Sequence, residues 1–306
     1  MTVRIVTDAV ADLPPALAER WGITIAPIYV TVAGETRAIG NGEGHDWFYA
    51  ALERGTSPRL QTASPSVADI AALFRRLAEE GARQIVGLFT ASTVSSTADH
   101  ARLAAREVAG VEVRIVETAQ VSLGEGLLVL EAAQAAATGA SAAEIAEHIE
   151  ALRPRTLLLG LLPSLAYLRR GGRVNHVVAL VGDLFRIKPI IFFYEGDAGL
   201  WGKVRTYHRA IEMLEPLVQA SRLRRLAVLH SRAPAAALDD FYRRIAAHFP
   251  GVEVPLVEVG PVFASHVGPG AMGLAFIGTE SQAERYPKLA RITAASETSD
   301  RGTGER

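Results

Sequence analysis

Short β-branched segments alternate along the first half of the chain with longer alanine- and leucine-rich segments of helical period. The runs "VRIVTD" (3–8), "QIVGLF" (84–89) and "VEVRIVE" (111–117) have the composition of buried strands. Between them, "SVADIAALFRRLAEEG" (66–81) carries apolar residues at helical spacing and ends at Gly81, as helices commonly do. This alternation predicts βαβ units and a parallel sheet.

The second half repeats the alternation less regularly, which indicates a mixed α/β domain. The predicted strands are 155–162, 187–194, 224–231 and 251–260, and the predicted helices are 208–221 and 234–248. We place the domain boundary near "RPR" (153–155), after a predicted helix at 141–152. The expected organisation is an N-terminal α/β domain of residues 1–154, a C-terminal α/β domain of residues 155–282 and a flexible tail of residues 283–306.

Composition narrows the class of protein. With 306 residues, of which 49% are apolar, the chain is long enough to fill two hydrophobic cores. The net charge is -1, and the sequence has no long block of charges of one sign. It therefore gives no indication of a basic surface that would bind nucleic acid or an anionic membrane. No apolar run approaches the roughly 18 to 20 residues of a membrane helix, and the start of the chain lacks a signal-peptide pattern. The absence of cysteine suits a reducing compartment, so we expect a cytoplasmic protein without membrane insertion.

Hydroxyl side chains cluster in two loops. The segment "LFTASTVSSTADHA" (88–101) holds six of them, and "QTASPS" (61–66) precedes the predicted helix. Because loops at the carboxyl ends of parallel strands converge, we expect Thr62 and Ser95 to face one another. Hydroxyls and helix N-termini without a cation suit a single negative charge such as a carboxylate, whereas phosphate more often recruits Arg or Lys. Simple helix capping is the alternative.

Two further loops carry candidate chemistry. His266 stands in "HVGPG", where glycines permit tight turns that present N–H groups and an imidazole to an anion or a partner. Arg170 and Arg173 flank a Gly-Gly turn and are either surface charges or a docking site. In both loops an ordinary exposed polar residue is the alternative interpretation.

Signatures of several enzyme classes are missing from the sequence. There is no phosphate loop, no G-x-S-x-G elbow, no H-x-x-x-H pair and no G-x-G-x-x-G. We therefore assign no catalytic residue, no metal and no cofactor. A small-molecule hydrolase or phosphotransferase that uses Ser95 and His266 is the enzyme alternative.

Seven motifs, in order, resemble those of the DegV family, from about Val3 to Gly278. They are "TDAVADLP" (7–14), "TASPS" (62–66), "SSTADHA" (95–101), "SLGEGLLV" (122–129), "YLRRGGRV" (167–174), "KPII" (188–191) and "HVGPGAMG" (266–273). The resemblance implies a two-domain α/β protein that holds a long-chain, palmitate-like fatty acid in a tunnel between its domains. It implies that Thr62 and Ser95 bind the carboxylate, with His266 nearby.

The resemblance also implies a partner. Some family members present the bound acid to a separate ATP-dependent fatty acid kinase, which makes an acyl phosphate for phospholipid synthesis. By this analogy Arg170, Arg173 and Arg205 are candidates for docking the kinase. A regulatory protein that senses acyl chains without a kinase is a third possibility.

The sequence departs from the family pattern around the head-group site. Ala63 and Ser64 replace Ser-Gln, and Ser96 replaces the glycine of S-G-T. Ser96 would either add a hydrogen-bond donor to the carboxylate site or crowd it with its β-carbon. These changes leave the lipid preference open.

Overall fold

The fold is given by a computed structural model that describes residues 3–40, 45–54, 60–173, 177–178, 187–219 and 223–290. The strands, in chain order, are β1 (Val3–Asp8), β2 (Thr24–Ala26), β3 (Ile28–Val32), β4 (Glu35–Ile39), β5 (Leu60–Ala63), β6 (Gln84–Phe89), β7 (Glu112–Glu117), β8 (Thr156–Leu161), β9 (Val177–Val178), β10 (Lys188–Tyr194), β11 (Asp197–Val204), β12 (Leu223–Ser231), β13 (Leu256–Glu258) and β14 (Ala271–Gly278). The helices are α1 (Pro15–Arg20), α2 (His45–Arg54), α3 (Val67–Glu79), α4 (Thr97–Arg106), α5 (Leu123–Ala137), α6 (Ala142–Leu152), α7 (Ala166–Arg170), α8 (Tyr207–Gln219), α9 (Ala235–Ala246), α10 (Pro261–Val267) and α11 (Gln282–Arg285), with 3-10 turns at Ala9–Ala11 and Arg153–Arg155.

The predicted parallel sheet is confirmed in the N-terminal half. Strands β2, β1, β6 and β7 lie side by side in that order, and each neighbouring pair runs parallel. Helix α3 begins at a capping box, in which Ser66 and Asp69 each satisfy a backbone N–H of the other residue. The chain leaves the helix through Gly81, whose φ of +95° favours glycine.

A second N-terminal sheet was not predicted from the sequence. Strands β4, β3 and β5 form an antiparallel sheet in which Thr62 of β5 lies opposite Val30 of β3. These strands are only four or five residues long, and β4 is exposed at every position except its last. Such short, partly exposed strands lack the continuous apolar runs by which the longer strands were recognised.

The C-terminal half is built on a mixed seven-stranded sheet, here called sheet C, with the order β13-β12-β14-β8-β10-β11-β9. The strands predicted at 155–162, 187–194 and 224–231 are confirmed as β8, β10 and β12. The strand predicted at 251–260 is wrong in extent, since only Leu256–Glu258 pairs with β12. Gly251 has a φ of +78°, and Pro255 has no N–H to donate to a ladder. Strands β9, β11 and β14 were missed.

Helix α5 lies between the two halves and is buried along most of its length. It packs against β1 on one side and against β14 on the other. A β-carbon at Gly126 would collide with the carbonyl oxygen of Ala11, so this glycine permits close contact with the turn that follows β1. One hydrophobic cluster contains residues of both halves, and the division at residue 154 therefore stays a prediction.

The proposed tail requires a correction at its start. Residues 282–285 form α11, and Leu289 is fully buried in the core behind sheet C. Ala283 and Tyr286 pack against the same core, so the chain remains attached to the C-terminal half as far as Leu289. Residues 291–306 lie outside the described part of the chain. Of the helices that are described, none combines the length and the apolar character needed to cross a membrane.

Candidate ligand-binding cavity

A cavity of about 450 Å³ lies between the inner face of sheet C and the N-terminal half. Its size is within the range of roughly 300 to 1,000 Å³ that is common for small-molecule sites. Most of its wall is apolar, and the side chains that form this part include Val10, Ile28, Val121, Leu158, Leu162, Phe193, Ala198, Leu229, Val262 and Phe263. The cavity therefore offers an elongated apolar ligand a water-poor environment.

The polar side chains at one end of the cavity, here called its polar end, come from separate segments of the chain. Thr62 lies on β5, Ser95 and Ser96 lie in the loop between β6 and α4, Arg173 follows α7, and His266 lies in the last turn of α10. Thr62 and Ser95 both line the cavity, but Thr62 belongs to the antiparallel sheet. The convergence of these loops was therefore predicted for the wrong reason, because only Ser95 follows a strand of the parallel sheet.

Ser64 is the centre of a hydroxyl network. Its Oγ lies 3.2 Å from the Oγ of Ser95, and it accepts hydrogen bonds from the hydroxyls of Ser96 (3.2 Å) and Thr97 (3.0 Å). Ser95 and Thr97 are also bonded to each other, at 2.9 Å. Ser96 has an ordinary φ of -88°, so its β-carbon is tolerated at the start of α4. The departure from glycine at this position thus adds a hydroxyl to the network.

His266 supports Thr62. Its Nε2 lies 3.3 Å from Thr62 Oγ1, and its Nδ1 is buried without a hydrogen-bond partner among the described residues. Burial, with a smaller contribution from the Arg173 charge, lowers the pKa of His266 to about 4, so the imidazole is neutral near pH 7. A β-carbon at Gly171 would overlap the imidazole, which explains the glycine at that position. A neutral His266 that donates from Nε2 leaves the Thr62 hydroxyl free to donate to an anion.

Arg173 places a cation in the cavity wall. The two hydroxyl-rich loops themselves contain no Lys or Arg, so they gave no indication of it. Its Nε and Nη2 donate to the carbonyl oxygen of Val94 at 3.2 and 3.1 Å, and its Nη1 donates to that of Gly171 at 2.8 Å. Partial burial lowers its pKa, but an arginine remains charged. This position suits the head group of an anionic ligand better than the partner-docking role that we predicted.

A second cleft of about 500 Å³ adjoins the polar end of the cavity. The two share Thr62, Ala63, Arg173 and His266. Arg170 also lines the cleft, with its guanidinium over the Tyr167 ring. No acidic side chain is found among the described residues that line it. The cleft therefore lies beside the polar end and carries two arginines, Arg170 and Arg173, whereas Arg205 is exposed and lines neither space.

The remaining hydroxyls of the 88–101 segment have structural partners. Thr90 donates to the carbonyl oxygen of Gln120, Ser92 donates to Glu117, and Thr93 donates to the carbonyl oxygen of Gly196. Thr90 lines the cavity as well. The sequence analysis named Ser64 only as a departure from the family pattern and did not assign Thr97 or His100 to the head-group site. The serine and proline of "TASPS" were the available signal, since they begin helix α3 beside the cluster.

Two buried carboxyl groups, those of Asp8 and Asp12, hold in place the backbone next to the cavity wall. Asp8 accepts a hydrogen bond from the Val10 N–H at 2.8 Å, and Asp12 accepts from the Ser122 hydroxyl and from the Gly260 N–H at 2.7 Å. Burial raises the pKa of Asp8 to about 6 and that of Asp12 to about 7. Asp12 thereby ties the turn after β1 to the start of α10, which carries His266. Over the described ranges no group of three or more His, Asp or Glu side chains is arranged to hold a metal ion.

The parallel sheet, the mixed sheet and the apolar cavity between them define a class of two-sheet α/β proteins with an internal ligand site. A sequence model described as an uncharacterised protein of the DegV family matches residues 2–279. A DegV domain-containing protein of Streptomyces coelicolor is 37% identical over 281 residues, which cover 89% of this chain and 97% of that protein. The chain belongs to the DegV family.

Solved structures show the same fold. A DegV family protein of Thermus thermophilus, described by its fatty acid binding, is 29% identical with a TM-score of 0.81, and the match covers 91% of this chain and 100% of that one. DegV of Bacillus subtilis, described as a fatty acid binding protein, is 25% identical with a TM-score of 0.80 and the same coverage of both chains. The predicted α/β architecture and the predicted family are thus confirmed.

Proposed function

We propose that this protein binds a long-chain, palmitate-like fatty acid in the cavity, with its carboxylate at the polar end. The observation that carries the proposal is the polar end of a mostly apolar cavity, to which Thr62, Ser95 and Arg173 all contribute. The fatty acid binding described for the Thermus thermophilus and Bacillus subtilis relatives supports it. Ser96 and His266 contribute through Ser64 and Thr62 respectively.

The two parts of the cavity would contribute differently to binding. Burial of a C16 tail at roughly 0.8 kcal/mol per CH₂ gives about 12 kcal/mol before the entropy cost of binding is subtracted. Each hydrogen bond to a charged group adds about 1.5 to 3 kcal/mol. The apolar wall would therefore supply most of the affinity, and the polar end would determine the orientation of the acid.

Mass spectrometry of lipids extracted from the purified protein tests this function. We expect about one long-chain acid per chain. A cavity that is consistently empty, or that holds phosphorylated metabolites instead, would contradict the proposal.

The position of the second cleft beside the polar end supports a further step, in which a separate ATP-dependent kinase phosphorylates the bound carboxylate. Arg170 lines this opening and would contact the kinase, and Arg205 is a more distant candidate. Arg170→Glu should abolish acyl phosphate formation in a reconstituted kinase assay while fatty acid binding is retained. Unchanged turnover with this variant would remove Arg170 from the docking surface.

The geometry gives less support to a hydrolase that uses Ser95 and His266. The hydroxyl of Ser95 is bonded to Ser64 and Thr97, and His266 is bonded to Thr62, so no nucleophile–base pair is formed among these described residues. With a pKa of about 4, His266 is also a weak base at neutral pH. Catalytic turnover of a small molecule by the isolated chain would support the hydrolase instead. Capture of a partner protein that is not a kinase would favour a regulatory protein that senses acyl chains.

A further inference from the structure

A pair of hydroxyls interrupts the apolar part of the cavity wall. Ser231, at the end of β12, lines the cavity and has no exposed surface. Its Oγ lies 2.9 Å from the phenol oxygen of Tyr49, which α2 places behind it. On the same strand Leu229 is apolar, and Ala271 of β14 lies directly opposite Ser231. No hydrogen bond in the described part of the chain joins this pair to the head-group residues.

The pair has one more donor than it uses. Two hydroxyls carry two hydrogens, and their mutual hydrogen bond uses one of them. Among the described residues neither side chain has another hydrogen-bond partner. Burial raises the pKa of Tyr49, so its phenol stays protonated. One O–H donor and several lone pairs therefore remain to be satisfied at this point of the wall.

A plain hydrocarbon chain is a poor neighbour for such a pair. A methylene group makes no hydrogen bond, and a buried donor that lacks an acceptor is costly. An oxygen atom on the ligand would satisfy the donor, and a hydroxyl on the ligand would also use a free lone pair. Since Ser231, and not Tyr49, is part of the cavity wall, it is the member that such an oxygen would meet.

We propose that the cavity takes a long-chain acid with one oxygen function along its chain, a hydroxyl or a ketone, which Ser231 binds. Tyr49 is a positioning residue that holds the Ser231 hydroxyl toward the ligand. The proposal rests on the proposed function, because it requires the acid to lie in this cavity. It adds a second recognition point to the carboxylate end.

Binding of monohydroxystearic acids, each with its hydroxyl at a different carbon, tests the proposal against unsubstituted stearic acid. The wild-type protein should bind one positional isomer, or two adjacent ones, at least as tightly as stearic acid, and the other isomers at least tenfold more weakly. Ser231→Ala should weaken the preferred isomer about tenfold and leave stearic acid unchanged or tighter. Tyr49→Phe should reduce the same preference to a smaller degree.

Tyr242→Phe is the matched control, because the Tyr242 hydroxyl donates to the carbonyl oxygen of Val254 on the far side of sheet C. It should leave the isomer preference intact. Stearic acid that binds tightly while every hydroxylated isomer binds more weakly would overturn this proposal alone. A preference that survives Ser231→Ala would do the same, and failure of all the acids to bind would overturn the proposed function together with it.

Discussion

The polar end of the cavity and its apolar remainder are built in different ways. The polar end is assembled from the ends of elements and from loops, which bring Thr62, Ser95, Arg173 and His266 together from distant parts of the chain. The apolar remainder combines side chains of sheet C, such as Leu158 and Phe193, with apolar side chains of α10 and of the N-terminal half. A packed apolar wall tolerates exchange between residues of similar size, whereas a hydrogen-bonded cluster depends on individual atoms. Affinity and orientation should therefore be separable by mutation.

The largest effect is expected from filling the apolar part. Ala198 of β11 lines the cavity and is almost fully buried. In Ala198→Phe the ring would displace about four methylenes of a C16 chain, at a cost of about 3 kcal/mol or roughly 100-fold in affinity. Titration calorimetry with C16 and C10 acids should show a strong loss for the longer acid and a smaller loss for the shorter. Ala236→Phe, on the exposed surface of α9, is the control, and equal C16 binding by both variants would place the tail elsewhere.

Removal of the two central hydroxyls should act on the head group alone. Thr62→Val with Ser95→Ala is expected to weaken binding of the acid by about 10- to 100-fold, because water that enters the site replaces one of the two lost hydrogen bonds and leaves a net loss of about 1.5 to 3 kcal/mol. Binding of the matching primary alcohol should change little.

Ser92→Ala with Thr93→Val is the control for that double variant, because these hydroxyls belong to the same loop but bond Glu117 and Gly196. If the acid and the alcohol respond equally to Thr62→Val with Ser95→Ala, the carboxylate is not at this end.

Removal of the Arg173 charge should lower the affinity for the acid somewhat less than removal of the two hydroxyls. Arg173→Met keeps much of the side-chain length and removes the charge, and we expect about a tenfold loss for the acid but not for the alcohol. The Val94 carbonyl oxygen, which Arg173 now holds, would be released with either ligand, so the alcohol corrects for that part of the change. Arg169→Met, an exposed neighbour on α7, serves as the comparison. Affinity that is unchanged by Arg173→Met would make this arginine structural only.

The smallest effect is expected from pH. Since His266 has a pKa of about 4, it stays neutral between pH 5.5 and 8, and the carboxylate of the ligand stays ionised. The head-group site should therefore add almost no pH dependence to the affinity over this range, although Asp8 and Asp12, with pKa values of about 6 and 7, titrate within it behind the wall. If His266 were instead a cation that binds the carboxylate, affinity would be highest at low pH and would fall as pH rises through about 6.5. A fall of this kind that disappears in His266→Gln would contradict the neutral assignment.

The sequence predicted some elements of the fold better than others. Long buried strands such as β1, β6 and β8 and the capped helix α3 were predictable, because their apolar runs and caps are local signals. The sheet of β3, β4 and β5 was not, since its stability depends on partners elsewhere in the chain. Among the residues that line the cavity, Thr62, Ser95 and His266 were predicted as site residues from hydroxyl clusters and motifs, which are also local signals.

The residues that were missed have partners distant in sequence. Arg173 was assigned to docking because its segment looks like an ordinary charged turn, and only its bonds to the Val94 carbonyl place it in the wall. Ser231 looks like the end of an apolar strand, and its bond to Tyr49 spans 182 residues. Long-range contacts of this kind have no signal in a local pattern.

The orientation of the acid is tested most directly by co-crystallising the protein with a C16 acid that carries bromine on its last carbon. Anomalous scattering would locate the bromine. We expect its peak in the apolar part of the cavity, remote from Thr62, with the carboxylate within hydrogen-bond distance of Thr62 and Ser95. A bromine peak beside Thr62, or no bound acid at all, would contradict the assignment of the polar end as the carboxylate site.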